Sequence, residues 1–160
     1  MREVPLTRGY VALVDDEDYE RVVAAGPWCA EQHPHTLYAS RPKGTPRRMH
    51  GLILNASAGL QIDHINGDGL DNRRDNLRIC NKAQNQLNVP KETRTTYGGQ
   101  QTSSRFKGVC WDKTRRLWQA GIGFGNRRRA LGRFGSEEEA ARAYDAAAVH
   151  LFGPYARTNF

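Results

Sequence analysis

Cysteine is scarce. The chain has three, Cys29, Cys80 and Cys110, far apart and in no C-x-x-C pair. That spacing points away from both a zinc knuckle and a disulfide framework. Long apolar runs are missing too, so no segment reads as a membrane span. The first residues show no charged-then-apolar leader of the kind that directs secretion. The expectation is a soluble, cytoplasmic protein with reduced thiols and no membrane partner.

The remaining scarcity is local. Acids almost vanish between residues 89 and 135, where 2 Asp or Glu stand against 11 Lys or Arg. Residues 1–88 balance 11 against 11, and residues 136–160 carry 2 basic against 4 acidic side chains. The net charge of +7 over 160 residues is therefore concentrated in one block of 47. Such a block is the electrostatic footprint of a polyanionic partner, and duplex DNA is the natural one.

What is present is a polar run from Gln61 to Asn88, QIDHINGDGLDNRRDNLRICNKAQNQLN. Asp63-His64 opens it, Asn76 follows twelve residues after His64, and Asn85 twenty-one after it. Asn-Gly and Asp-Gly pairs are first of all turn chemistry, but turns do not require Asp-His before them and an Asn inside a following helix. A calcium loop fails because Ile65 stands where an oxygen ligand is needed. A hydrolase acting on phosphodiesters needs hard oxygen ligands for a divalent ion and an imidazole that takes a proton from water. Asp63 and Asn85 can supply the oxygens, and His64 the base.

This run resembles the motif of HNH (ββα-metal) endonucleases, in the variant whose last His is replaced by Asn. The resemblance implies that Asp63 and Asn85 hold one divalent ion, Mg²⁺ or Mn²⁺, that His64 is the general base and that Asn76 braces the hairpin loop. His50, in the apolar segment Met49 to Leu54, reads as a residue behind the site and not as a ligand. Arg73, Arg74 and Arg78 are candidate phosphate contacts. The leader is expected to form a small strand–helix–strand, with strands over Gly9 to Val14 and Leu37 to Arg41 and a helix over Asp15 to Ala25.

The segment from Val89 to Ser104 has linker composition, with Lys91, Arg94 and Tyr97 placed to lie along DNA. After it come three β-like runs, Phe106 to Trp111, Leu117 to Phe124 and Arg129 to Phe134, with Gly125-Asn126 as a hairpin signal. Ser136 to Glu139 reads as a capping box opening a helix that runs to Phe152. Ala140, Tyr144, Ala147, Ala148 and Leu151 share one stripe of that helix. The motifs FKGV, WQAGI, LGRF and EEEAARAYDAAA make this region similar to the DNA-binding domain of plant apetala-type and ethylene-response transcription factors. That resemblance implies a sheet lying in the major groove, with Lys107, Trp111, Lys113, Arg115, Arg116, Gln119, Arg127, Arg128 and Arg129 facing DNA. Cys110 stands where those proteins carry a base-reading Arg, so their target sequence does not transfer.

The sequence thus leads to an α+β chain in three parts. Residues 1–88 form an HNH nuclease domain of the ββα-metal type with an N-terminal extension. Residues 89–103 form a linker, and residues 104–160 a three-stranded antiparallel sheet packed on one helix. The expected activity is site-directed, metal-dependent cleavage of double-stranded DNA, of homing type as in phage or mobile introns. A monomer nicking one strand, with no small-molecule cofactor, is the form expected. Two rivals stay open: a DNA-binding regulator without catalysis, and a structure-specific nuclease acting on branched DNA.

Overall fold

The computed structural model describes residues 1–44, 46–91, 103–125 and 127–160. Arg94 and Tyr97, most of the expected linker, and Asn126 of the hairpin signal lie outside them. The fold is mixed helix and strand, in two compact units, Met1–Asn85 and Gln86–Phe160. Among the described residues no helix is long and apolar enough to cross a membrane.

The first unit opens with an antiparallel hairpin, β1 (Arg2–Pro5) and β2 (Val11–Val14). Helix α1 (Asp16–Ala25) follows, with Asp16, Glu17 and Asp18 in its first turn, where carboxylates offset the positive helix end. A second hairpin joins β3 (Cys29–Gln32) to β4 (Leu37–Ser40). The leader therefore has four strands where sequence suggested two. Strands β1 and β3, REVP and CAEQ, carry too little alternation to announce themselves. A short helix, α2 (Met49–Leu54), leads to β5 (Gln61–His64), which pairs antiparallel with β6 (Leu77–Cys80) before α3 (Lys82–Leu87).

One apolar core holds these pieces together. Val4, Ala12 and Val14 from the first hairpin meet Val22, Trp28, Ala39, Met49, Ile53 and Leu77. The Trp28 indole donates to the Val22 carbonyl at 2.8 Å, so a large ring is buried without a stranded N–H. Strand β2 also grips the loop between β5 and β6: Leu13 N donates to Leu70 O at 2.9 Å, and Asn72 N donates to Leu13 O at 2.8 Å. A β-carbon at Gly69 would sit 2.3 Å from Leu37 O and 2.6 Å from the Tyr38 ring, so only glycine lets this loop lie against β4.

The second unit is a three-stranded antiparallel sheet, β7 (Val109–Asp112), β8 (Leu117–Phe124) and β9 (Arg127–Phe134), in that spatial order. Helix α4 (Glu137–Phe152) packs on it, opened by the reciprocal capping box of Ser136 and Glu139. Ala140, Ala141 and Ala148 are fully buried against Val109, Ala120 and Ile122. Methyl-sized side chains on the helix allow that close approach. Gly108, at φ +78°, lies against the Tyr144 ring, where any β-carbon would collide at 2.0 Å.

Candidate functional site

In the first unit the strand pairing aligns Asp63 opposite Arg78 and His64 opposite Leu77. Both Asp63 and His64 are buried. The Arg78 guanidinium donates to Asp63 Oδ2 from Nε at 2.9 Å and from Nη2 at 2.6 Å. A buried carboxylate needs such a partner, and here it comes from the facing strand.

The loop from Ile65 to Asn76 is tied across its base. Asn76 Nδ2 donates to Asp71 O at 2.8 Å, and Asn76 Oδ1 accepts from Asn66 N at 3.0 Å. The Asn66 amide donates to Asp71 Oδ2 at 3.0 Å, while Ile65 N donates to Asn76 O at 2.8 Å. The Asn76 side chain therefore spans both limbs of the loop that follows His64.

Asn72, which the sequence offers only as a turn residue, faces His64. Its Nδ2 donates to Leu70 O at 3.1 Å and to Gly69 O at 3.4 Å, which settles which end of the amide is oxygen. Oδ1 lies 3.4 Å from His64 Nε2. An amide oxygen only accepts, so Nε2 carries the hydrogen and the lone pair of the neutral ring sits on Nδ1. Burial depresses the His64 pKa, against the opposing pull of Asn72, Asp63, Asp68 and Asp71. A neutral imidazole with a fixed tautomer is the form a general base requires.

His50 lies at van der Waals distance behind it, with ring centroids 5.1 Å apart and the planes crossed at 68°. Burial, His64 and Arg48 lower the His50 pKa to about 3, so it is neutral at physiological pH. Tyr38 packs edge-on to His50 at 5.8 Å and lies 5.7 Å from His64. Three rings from α2, β4 and β5 thus fix one another.

Asn85, on α3, donates its Nδ2 to Gln61 Oε1 at 2.8 Å, which ties the helix to the start of the strand carrying Asp63. Its amide oxygen takes no part in that bond. Carboxylate and amide oxygens are the hard donors that Mg²⁺ and Mn²⁺ favour, so Asp63 and Asn85 fit such an ion in kind. The same Asp63 oxygen that Arg78 holds is in demand. Among the described residues no group of three or more His, Cys, Asp or Glu side chains is placed to hold a metal.

The arginines expected at phosphate are engaged inside the unit. Arg73 forks onto Asp71, at 2.8 and 2.7 Å. That pairing, foremost, holds the Asp71 carboxyl below the usual range. Arg74 reaches Asp18 with two hydrogen bonds of 2.7 and 2.9 Å and pairs with Glu17 at 2.6 Å. Burial alone would raise the Asp18 pKa, but Arg74 and Arg21 together bring it below the ordinary value. Arg74 clamps α1 to the hairpin loop while Arg73 braces the loop on Asp71, structural tasks that their sequence cluster did not reveal.

In the second unit, strand register sorts the candidates by face. Trp111 pairs with Trp118, which pairs with Phe134, and that row packs toward the helix-side core. Trp111 is half-buried, 5.0 Å from the Trp118 ring that it pairs with across the strands. Arg127 and Arg129 stand opposite Phe124 and the buried Ile122, on the helix side, though both are exposed. Lys107 is buried, its ammonium donating to Leu87 O and to Val89 O, the latter at 3.2 Å. The ammonium expected at DNA is thus engaged with two backbone carbonyls of its own unit.

The open face is the row Cys110, Gln119 and Arg133, followed by Gly121 and by Gly123 opposite Arg128. Lys113, Arg115 and Arg116 project from the turn between β7 and β8 and are exposed. Arg133, missed in the sequence, is identified by its register opposite Gln119, and Asp112 holds its Nε at 3.0 Å. The Arg128 guanidinium lies over Gly121 on this face, where a β-carbon would meet its Nε at 3.1 Å, and such positive charge suits a phosphate backbone.

Comparison with known families finds two matches. Residues 104–154 match the AP2 domain, and residues 56–87 match the HNH endonuclease family. Among curated proteins, the AP2-like ethylene-responsive transcription factor ANT of Arabidopsis thaliana is 44% identical over 69 residues, covering 42% of this chain and 12% of that protein. The AP2-like ethylene-responsive transcription factor CRL5 of Oryza sativa subsp. japonica is 36% identical over 99 residues, 61% of this chain and 15% of its own length. The ethylene-responsive transcription factor WRI1 of Arabidopsis thaliana is 44% identical over 59 residues, 36% of this chain and 14% of that protein. The chain spans between 12% and 15% of the length of these three relatives.

Proposed function

From one chain that matches both the HNH endonuclease family and the AP2 domain, we propose a DNA-binding protein that also cuts. The open face and the β7–β8 turn of the second unit grip duplex DNA. The hairpin β5–β6 with α3 acts as a ββα-metal nuclease site. The observation that carries the catalytic part is the buried His64 ring, its pKa lowered by burial and its Nε2 3.4 Å from Asn72 Oδ1.

In the reaction His64 Nδ1 takes a proton from water as the water oxygen bonds to phosphorus. The bond from phosphorus to the 3′ oxygen breaks, and that oxygen takes a proton from solvent. The products are a 3′-hydroxyl and a 5′-phosphate, with one water consumed. Asp63 and Asn85 are the residues that would hold Mg²⁺ or Mn²⁺, which supplies neutralising charge at the scissile phosphate and the leaving oxygen. Asn76 keeps the loop closed so that β5 presents His64 in one orientation. One Asp63–His64–Asn85 set per chain suits a monomer that nicks a single strand.

A second reading is a DNA-binding regulator whose first unit does not cut. The curated relatives favour it more directly than they favour a nuclease, because those named above are transcription factors. Arg78 on Asp63 also gives the carboxylate a resident cation. Incubating the full chain with linear duplex and with branched DNA, with Mn²⁺ or with EDTA, separates the readings. Manganese-dependent cutting of the duplex supports the site-directed nuclease, cutting confined to branched DNA supports a structure-specific one, and binding without cutting in either supports the regulator.

A further inference from the structure

The first unit contains an open cleft of about 760 Å³ whose lining includes Tyr38, Arg48, His50, Gln61 and Asn85. Its walls come from the β3–β4 hairpin, the start of α2, β5 and α3. Two of its residues connect it to the catalytic groups: His50, packed on His64, and Asn85, one of the two proposed metal ligands.

Two arginines, Arg47 and Arg48, line this cleft, and they differ in their partners. Arg2, Arg21, Arg47, Arg73, Arg74 and Arg78 each form an ion pair with a carboxylate. Arg41 instead donates to two backbone carbonyls, and Arg8 is exposed on a turn. Arg48 is half-buried and forms no ion pair among the described residues, although the Glu31 carboxylate of the same cleft, itself paired to Arg47, acts on it at longer range. Its Cζ stacks 4.4 Å above the Tyr38 ring, and Nη2 lies 3.0 Å from His33 Nε2. The fork is thus held by an aromatic face and by one side-chain contact, with no further side-chain hydrogen bond among the described residues.

A partly desolvated guanidinium with no ion pair of its own, fixed at the wall of a polar cleft whose Glu31 carboxylate is paired to Arg47, is arranged to take an anion from outside. Planar forks match phosphate oxygens in pairs. The same Tyr38 that orients Arg48 also packs on His50 and His64, so the anion seat and the base are held by one set of rings. We infer that this cleft receives the scissile strand of DNA and that Arg48 grips the phosphate to be cut, gaining strength as negative charge builds on its oxygens. The inference rests on the nuclease reading above for its catalytic half, while its binding half stands without it.

The test uses the full chain, a fluorescein-labelled duplex and the variants Arg48→Met, Arg48→Lys and, as a surface control, Arg8→Gln. In binding, Arg48→Met should lower the slope of log K against log salt by about 0.9, the share of one phosphate contact. Arg48→Lys, which keeps the charge, should retain the slope, and Arg8→Gln should match the parent. In cleavage with Mn²⁺, Arg48→Met should cost kcat about 10²-fold, as for one lost donor to a developing oxyanion. Arg48→Lys should fall between, with kcat affected more than KM. A reduced slope in a chain that never cuts DNA keeps the phosphate seat and removes the nuclease reading. An unchanged slope in a stably folded Arg48→Met overturns the seat, whatever happens to cleavage. Should Arg48→Met fail to fold, Arg48→Lys decides by its kcat: parental turnover refutes the fork's role.

Discussion

Acid should unfold the first unit earlier than its carboxylates require, and His50 is the reason. Its folded pKa is about 3, against an ordinary value of 6.5, because burial and the neighbouring His64 and Arg48 oppose the charged ring. The unfolded chain therefore binds this proton first. Stability is full above the ordinary value and is lost as pH falls through it toward the folded value. Between about pH 7.5 and about pH 5 the loss from His50 amounts to about 2 kcal/mol. His64, also depressed by burial, acts in the same direction. Asp18, Glu31 and Asp71 have lowered pKa values too. Their contribution disappears only as pH drops through the ordinary carboxylate range of about 4, which leaves a window that belongs to the histidines. Tyr38 packs against both rings but ionises far above this window. The assay is urea unfolding followed by Trp28 fluorescence, with Trp111 and Trp118 replaced by Phe so that one tryptophan remains of three. His50→Phe keeps a ring in the cluster and removes the titration. It should flatten the pH dependence in this window by about 2 kcal/mol, and a variant as acid-sensitive as the parent would refute the reasoning.

Three other outcomes follow from the same geometry. Asn72→Ala frees the His64 tautomer, so cleavage should fall by about 10²-fold or more with the dissociation constant for DNA unchanged; parental kcat would mean the amide does not set the ring. Lys107→Met strips Leu87 O and Val89 O of a charged donor and should destabilise the second unit by about 2 kcal/mol. Its salt slope should stay at the parental value, and a weaker slope would return Lys107 to the DNA surface. Arg128→Ala, on the open face, should lower that slope by about 0.9, whereas no change would move the grip to another face.

The parts legible in the sequence are those written in local spacing. The resemblance carried by Asp63, His64, Asn76 and Asn85 implied a hairpin and a following helix, and β5, β6 and α3 stand at those residues, as short-range patterns allow. The capping box at Ser136 and the alanine stripe of α4 are equally local. What escaped depends on contacts distant in the chain. Arg74 reads as a surface charge until α1 brings Asp18 to it across 56 residues. Lys107 reads as DNA-facing until its ammonium finds Leu87 and Val89. Asn72 is one of several Asn in a turn-rich run, and only the backbone bonds to β2 turn its amide toward His64. Arg48 carries no sequence signal, since its distinction is the ion pair it lacks.

The central claim is that His64 is the base of a phosphodiesterase site joined to a DNA-binding sheet. Supercoiled plasmid carrying a site that the chain binds, incubated with Mg²⁺ or Mn²⁺, tests it most directly when His64→Ala is run beside the parent. The expected result is open-circular DNA from the parent and a loss of rate in the variant of about 10²–10⁴-fold, with both proteins binding the DNA equally. Intact supercoiled plasmid under a parent that binds it fully would contradict the claim, and so would nicking at the parental rate by His64→Ala.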